Sequence, residues 1–205
     1  VQAHLKFSKM NLSYVLEMKV LNNQSRIKIL DNNQFSIYAF PLKHSVYTNG
    51  FLIREKEKKR KLILEKALEN NIDKIYFNKL TKRENVINND GVEINYMDVT
   101  KPAEKPRAFA YCSDTAYFDE LINYIKGVDL LYCETTFLKK DKDKAALTLH
   151  STTLDAATLA KKGRVKKLLI GHFSSRYDDD NVFNTEVASI FENVIISEEG
   201  KKIEV

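Results

Sequence analysis

The chain has 205 residues, enough for one core-bearing domain and an appendage. At 43% hydrophobic and 30% charged it has the composition of a soluble globular protein, and no apolar run approaches the roughly 20 residues of a membrane helix. Its net charge of +5 and pI near 9.0 are compatible with a nucleic-acid partner without demanding one.

The opening residues, with His4, Lys6 and Lys9, do not read as a secretory signal, so a cytoplasmic protein without a membrane partner is expected. Cys112 and Cys133 lie in apolar, strand-like runs and read as reduced, buried thiols rather than a disulfide. No CxxC pair is present, which excludes a cysteine zinc knuckle.

Val1–Phe7 alternates loosely and is expected to be a strand. It begins in mid-pattern and without Met, so the start of the fold is expected to be missing. Tyr14–Val20 and Arg26–Leu30 read as strands around the turn Asn22-Asn23-Gln24-Ser25. Phe35–Phe40 is an apolar strand ending at Pro41, and Phe51–Ile53 follows the Asn49-Gly50 turn, so His44 falls in the bend between two strands.

From Arg54 to about Lys105 the character changes. Arg54–Lys66 carries seven Lys or Arg against three Glu, Leu62–Leu68 has helical spacing, and Asn88-Asn89-Asp90-Gly91 is a turn signal. Residues 54–105 therefore read as an inserted basic arm between two parts, 1–53 and 106–205, of one domain. Its cluster Lys58-Lys59-Arg60-Lys61 is either a solvated face or a set of phosphate contacts.

Ala108–Cys112 resumes as a buried strand, followed by a helix at Phe118–Ile125 and a strand at Val128–Tyr132. Leu154–Lys162 is helical, Lys167–Ile170 a strand, Thr185–Phe191 helical and Val194–Ile196 a last strand. This alternation predicts an α/β sandwich with helices outside the sheet.

Polar residues recur where these elements end: His44, Asp114, Glu134, His150 and His172. If the strands share a sheet, their ends converge. Histidine nitrogens and a carboxylate suit Zn²⁺ or a similar divalent metal, and Asp114 could bridge two metals. Each position also has a structural reading. Asp114 could cap a following helix, and His150-Ser151-Thr152-Thr153-Leu154-Asp155 resembles a loop leading into a capped helix.

The segments Pro41-Leu42-Lys43-His44, Tyr111-Cys112-Ser113-Asp114-Thr115, Glu134-Thr135-Thr136, His150-Ser151-Thr152 and Gly171-His172-Phe173-Ser174-Ser175-Arg176-Tyr177 resemble ribonuclease Z. That family removes the 3′ trailer from precursor tRNA with two zinc ions on a metallo-β-lactamase fold. The resemblance implies an αββα sandwich with an inserted arm. It implies His44, Asp114 and His172 as zinc ligands, with Asp114 bridging. Glu134 and His150 would be the catalytic pair that manages the leaving-group proton, and Arg176 would contact phosphate. Lys58, Lys59, Arg60 and Lys61 would contact the tRNA, and a homodimer is implied.

The family's His-x-His-x-Asp-His motif and its glycine-rich N-terminal strand pair are absent, as is the Gly-Pro element at the arm's tip. By resemblance, the chain corresponds to the C-terminal two-thirds of the enzyme. With an incomplete ligand set, it is expected to bind zinc weakly and not to hydrolyse RNA alone. The alternative is a non-catalytic RNA-binding relative that has lost the motif. A third reading, a metallo-β-lactamase-fold hydrolase of esters or thioesters, fits the basic arm and Arg176 less well.

Overall fold

The computed structural model describes residues 12–205. The strand expected at Val1–Phe7 lies outside these residues, as does His4. Tyr14–Val20 does not form the expected strand. It is irregular and exposed, and its alternating apolar side chains meet no partner strand among the described residues. Apolar alternation favours a strand only where a neighbouring backbone takes up the amides.

β1 (Ile27–Asp31), β2 (Phe35–Pro41) and β3 (Asn49–Glu55) form an antiparallel meander. The turn into β2 is set by Asn32, whose side chain accepts the backbone N–H groups of Gln34 and Phe35 at 2.8 and 2.9 Å. Gly50 lies beneath the Phe40 ring, and a Cβ there would collide with it.

Arg54 and Glu55, expected at the start of the arm, instead extend β3, and residues 56–105 form a small unit outside the main sheet. It holds β4 (Lys61–Leu62), α1 (Leu64–Glu69), α2 (Phe77–Thr81), β5 (Val86–Ile87), β6 (Glu93–Ile94), α3 (Tyr96–Val99) and β7 (Thr100–Lys101). β4 pairs with β7 and β5 with β6. The β5–β6 hairpin closes through Gly91 at φ 77°, a left-handed conformation that glycine adopts without strain. Ala67, Ile72, Leu80, Val86, Ile94 and Val99 give this unit its own buried core.

The main sheet then continues with β8 (Ala108–Cys112), α4 (Leu121–Ile125), β9 (Leu130–Glu134), α5 (Lys142–Thr148) and α6 (Thr153–Gly163). It ends with β10 (Lys167–Gly171), α7 (Asn181–Ala188) and β11 (Val194–Ile196). The seven strands lie in the order β1-β2-β3-β8-β9-β10-β11. β8 is antiparallel to β3, whereas β8, β9, β10 and β11 are mutually parallel.

α6 packs on β9 and β10 with α4 and α7 beside it. The core joins Phe40, Leu52, Leu131, Leu159, Leu168, Ile170 and Phe183, all buried. Each such side chain removed from water contributes roughly 1.5–3 kcal/mol. Cys112 and Cys133 sit opposite each other on β8 and β9 as free thiols, and burial pushes both of their pKa values up.

Strand direction decides where the polar strand ends fall. β2 and β8 are both antiparallel to β3, so β2 runs in the same direction as β8, β9 and β10. The carboxyl ends of these four strands therefore lie along one edge, where open α/β sheets present their functional groups.

Candidate metal centre and catalytic cleft

Four loops leave that edge, and hydrogen bonds join them. After β2, the Lys43 N–H donates to Thr115 Oγ1 at 3.0 Å and the Lys43 carbonyl accepts Ala116 N–H at 2.8 Å. After β9, Thr135 N–H donates to the Gly171 carbonyl at 2.8 Å, and the Thr136 carbonyl accepts Ser174 N–H at 3.1 Å. Ser151 Oγ donates to the Thr115 carbonyl at 2.6 Å.

Glu134, at the end of β9, is fully buried at the centre of these loops. Its Oε1 accepts Thr115 N–H (3.1 Å), Ser151 N–H (2.8 Å) and His150 Nδ1–H (2.9 Å). Its Oε2 accepts the Thr136 N–H (3.0 Å) and hydroxyl (2.8 Å). A buried carboxylate persists only when its lone pairs are satisfied, and here every contact is a donor. Glu134 therefore both orients His150 and holds three loops together.

The three histidines share one arrangement. His44 Nδ1 lies 3.0 Å from the Leu149 carbonyl, His150 Nδ1 bonds Glu134, and His172 Nδ1 lies 2.9 Å from Thr136 Oγ1. A neutral imidazole that donates through Nδ1–H keeps its lone pair on Nε2. The ring centroids of His44 and His150 are 4.9 Å apart, and those of His150 and His172 are 5.4 Å apart.

Asp114 Oδ1 lies 3.6 Å from His172 Nδ1. Ligand atoms of His44, Asp114 and His150 fall within 4.8 Å of one another, as do those of Glu134, His150 and His172. The residue types and the nitrogen atoms left free fit a divalent metal. His150, to which the family resemblance gives proton handling, stands at the middle of both groups.

The local fold explains how the histidines are aimed. α5, for which the sequence pattern gave no expectation although Lys142–Leu147 is helix-like, ends in Leu149 at φ 56°. This left-handed cap turns the chain so that the Leu149 carbonyl faces His44 and His150 enters the cleft. Thr152 and Asp155 then form a capping box that starts α6. The capped-helix reading of the His150 loop thus holds beside its place in the cleft. Asp114 caps no helix, because α4 begins only at Leu121. His172 itself adopts φ 63°, which bends the chain sharply away from β10.

The rest of the Gly171–Tyr177 segment anchors this bend. Phe173 and Tyr177 pack on Phe183 with ring centroids at 4.5 and 5.2 Å, and Tyr177 donates its hydroxyl proton to Asp141 at 2.6 Å. Gly171 faces Tyr132 and Ser197, leaving no room for a Cβ. Arg176 is exposed. It lies over the Phe137 ring at 5.0 Å, and that ring is 6.3 Å from the ring of His150. Its guanidinium donates to Ser174 Oγ at 2.9 Å and reaches solvent at the cleft's rim.

The basic cluster of the arm is not uniform. Lys58 and Lys61 are exposed and face Glu104 at 3.9 and 3.8 Å, and Lys59 donates to Asn78 at 2.9 Å. Arg60 differs. It donates to the Thr100 hydroxyl at 2.6 Å and the Thr100 carbonyl at 3.1 Å, and stacks over Tyr96 at 5.3 Å. The structure thus engages Arg60 inside the arm, joining the residue before β4 to Thr100 of β7. Two contributors carry no role from the sequence alone. These are Thr136, whose hydroxyl bonds Glu134 and His172, and the Leu149 carbonyl.

No family model matches the chain. It is 40% identical over 201 residues to a curated protein named Ribonuclease Z from Cytophaga hutchinsonii, covering 98% of this chain and 64% of that protein. A second Ribonuclease Z, from Parabacteroides distasonis, is 34% identical over 194 residues, covering 95% of this chain and 64% of its length. The chain thus spans just under two-thirds of these relatives.

Among solved structures it is similar to the short form of human tRNase Z, with a TM-score of 0.54 and 23% identity, covering 88% of this chain and 47% of that one. It is also similar to a metallo-β-lactamase-fold protein of Bacillus subtilis, with a TM-score of 0.54 and 18% identity, covering 84% and 49%. The fold is accordingly metallo-β-lactamase-like. The resemblance to ribonuclease Z extends through nearly the whole chain as homology to proteins of that name.

Proposed function

We propose that this chain is part of a metal-dependent endoribonuclease that removes the 3′ trailer from precursor tRNA, and that its cleft forms part of the catalytic site. The observation that carries the reading is the convergence of His44, His150 and His172, each held through Nδ1. It occurs in a chain homologous to Ribonuclease Z throughout.

In this reading His44, Asp114 and His172 hold zinc. A bound metal would polarise a phosphate oxygen of the scissile bond. His150, held through Nδ1 by Glu134, takes a proton from solvent on Nε2 and passes it to the departing 3′-oxygen. Arg176, at the rim, pairs with a substrate phosphate through its planar fork. The segment 54–105, through Lys58, Lys59 and Lys61, contacts tRNA phosphates away from the cut. We extend the reading to a cytoplasmic homodimer in which one subunit's arm serves the other's cleft.

The test is precursor-tRNA cleavage by the full-length protein carrying His150→Ala. The reading expects the rate to fall by about 10²–10⁴-fold, the usual contribution of a positioned proton donor. A wild-type rate would remove His150 from the mechanism. Binding without cleavage by the unmutated full-length protein would favour a non-catalytic RNA-binding role instead.

A further inference from the structure

We propose that Thr136 is a positioning residue for His172: its hydroxyl donates to Glu134 and accepts from His172 Nδ1, so that His172 presents Nε2 to the cleft. The inference rests on the metal-site part of the proposed function for its consequence, but not for its geometry.

A threonine hydroxyl has one proton and two lone pairs. Glu134 Oε2, 2.8 Å away, is an acceptor in all its other contacts, so the hydroxyl proton lies toward it. Thr136 Oγ1 can then only accept from His172 Nδ1, at 2.9 Å. The 3.3 Å approach to His150 Nδ1 is secondary, because that nitrogen already donates to Glu134 Oε1 at 2.9 Å. One buried carboxylate therefore sets two imidazoles, His150 directly and His172 through Thr136.

The arrangement is needed most at His172. Its side chain is 47% exposed, so packing alone does not fix the ring, and its backbone stands in the left-handed region. Without the Thr136 hydroxyl, Asp114 Oδ1 remains as an acceptor 3.6 Å from Nδ1. A ring that turned to that oxygen would engage the carboxylate assigned to the metal. Thr136 thus also keeps Asp114 and His172 apart as separate donors. The other contacts of Thr136 run through its backbone, to Glu134 and from Ser174, and survive replacement of the side chain.

The test compares Thr136→Val, which keeps the shape and loses the hydroxyl, with Thr136→Ser, which restores it. In the metal-stripped, ¹⁵N-labelled full-length protein, long-range proton–nitrogen spectra distinguish the two neutral imidazole tautomers. Signals of His172 are assigned by their loss in His172→Asn. The wild type and Thr136→Ser should show His172 in the Nδ1–H form, and Thr136→Val should move it toward the Nε2–H form.

Zinc titration of the same proteins should show affinity reduced by about 10–100-fold in Thr136→Val and recovered in Thr136→Ser, the usual effect of losing a hydrogen bond that orients a ligand. An unchanged tautomer in Thr136→Val or a wild-type His172 in the Nε2–H form would each overturn the proposal, whereas a shifted tautomer with unchanged zinc affinity would overturn the metal role given to His172. The tautomer measurement involves neither RNA nor metal. Loss of the nuclease reading would therefore leave its result standing.

Discussion

The strand-end cleft and the arm both concentrate polar residues, but they hold them in opposite ways. In the cleft, a fully buried carboxylate gathers five donors from three loops, and each histidine is fixed by a partner inside the protein. In the arm, the charged groups meet in pairs at the surface, as Lys58 and Lys61 do with Glu104, around a small apolar core. Apolar side chains such as Ile75 (71% exposed) and Leu68 (59%) remain in solvent there. Buried polar networks specify one geometry because any unmade bond is costly, whereas exposed pairs are screened and contribute little. The cleft is built for fixed positions, and the arm for charge presented on a loosely determined surface.

The largest effect should come from breaking the cleft's centre. Glu134→Ala leaves three backbone N–H groups, of Thr115, Thr136 and Ser151, without their acceptor and His150 without its anchor. It should cost about 3 kcal/mol, the scale for removing one partner of a buried charged network. Urea denaturation read by circular dichroism would measure this loss. A change below about 1 kcal/mol would mean that the carboxylate does not organise these loops.

Leu80→Ala, in the arm's core, should cost about 2 kcal/mol, the lower end for such truncations, because so small a core can relax around the gap. The contrast is sharpened by where the loss appears. Hydrogen exchange should quicken in residues 60–101 and leave β8, β9 and β10 protected. Quickening across the whole chain would merge the two regions into one cooperative unit.

The sequence displays the sheet far better than the arm, for a physical reason. β2, β8, β9 and β10 are largely apolar runs of five to seven residues whose alternate side chains enter the buried core. The arm's strands are two residues long, below the length at which any periodicity can show. Tyr14–Val20 shows the converse: it has a strand's pattern without a strand's partner among the described residues. For the cleft, the residue types are visible as histidines and carboxylates at element ends. Their convergence depends on β2 running with β8, which only the pairing through β3 determines. Thr136 is invisible for a related reason, since one threonine in a Thr-Thr pair looks like any other until two partners 2 and 36 residues away meet it.

Within the arm, the four-residue basic cluster should divide by role. Lys58→Gln, Lys59→Gln and Lys61→Gln together should leave folding within about 0.5 kcal/mol of wild type, as expected for exposed pairs. They should lower the steepness of the salt dependence of tRNA binding by up to about 2–3. Arg60→Gln should do the reverse, costing about 1 kcal/mol through Thr100 and Tyr96 with little change in that slope. Denaturation and filter-binding titrations across salt concentrations separate the two. An Arg60 variant with intact stability and a flattened slope would return Arg60 to the RNA-contacting set.

The smallest effect belongs to the join between the regions. At the arm's base, Arg107 donates to Glu55 through its side chain at 3.0 Å and its backbone N–H at 3.0 Å. The hydrogen-bonded guanidinium lowers the pKa of Glu55 from 4.5 to about 2. A carboxyl whose folded pKa is depressed stabilises the fold fully above its unfolded value, and this contribution fades as pH falls toward the folded value. The Glu55–Arg107 contribution should therefore be constant above about pH 5 and decline between about pH 4.5 and 2. Comparing Glu55→Gln with wild type isolates it: the stability difference should be modest at neutral pH, because both groups are partly exposed, and should shrink toward zero across that acid range. If the difference instead stayed flat down to about pH 2, charge would not hold the arm to the sheet. The join would then rest on the backbone bond from Glu55 N–H to the Arg107 carbonyl at 2.8 Å, which no side-chain protonation disturbs.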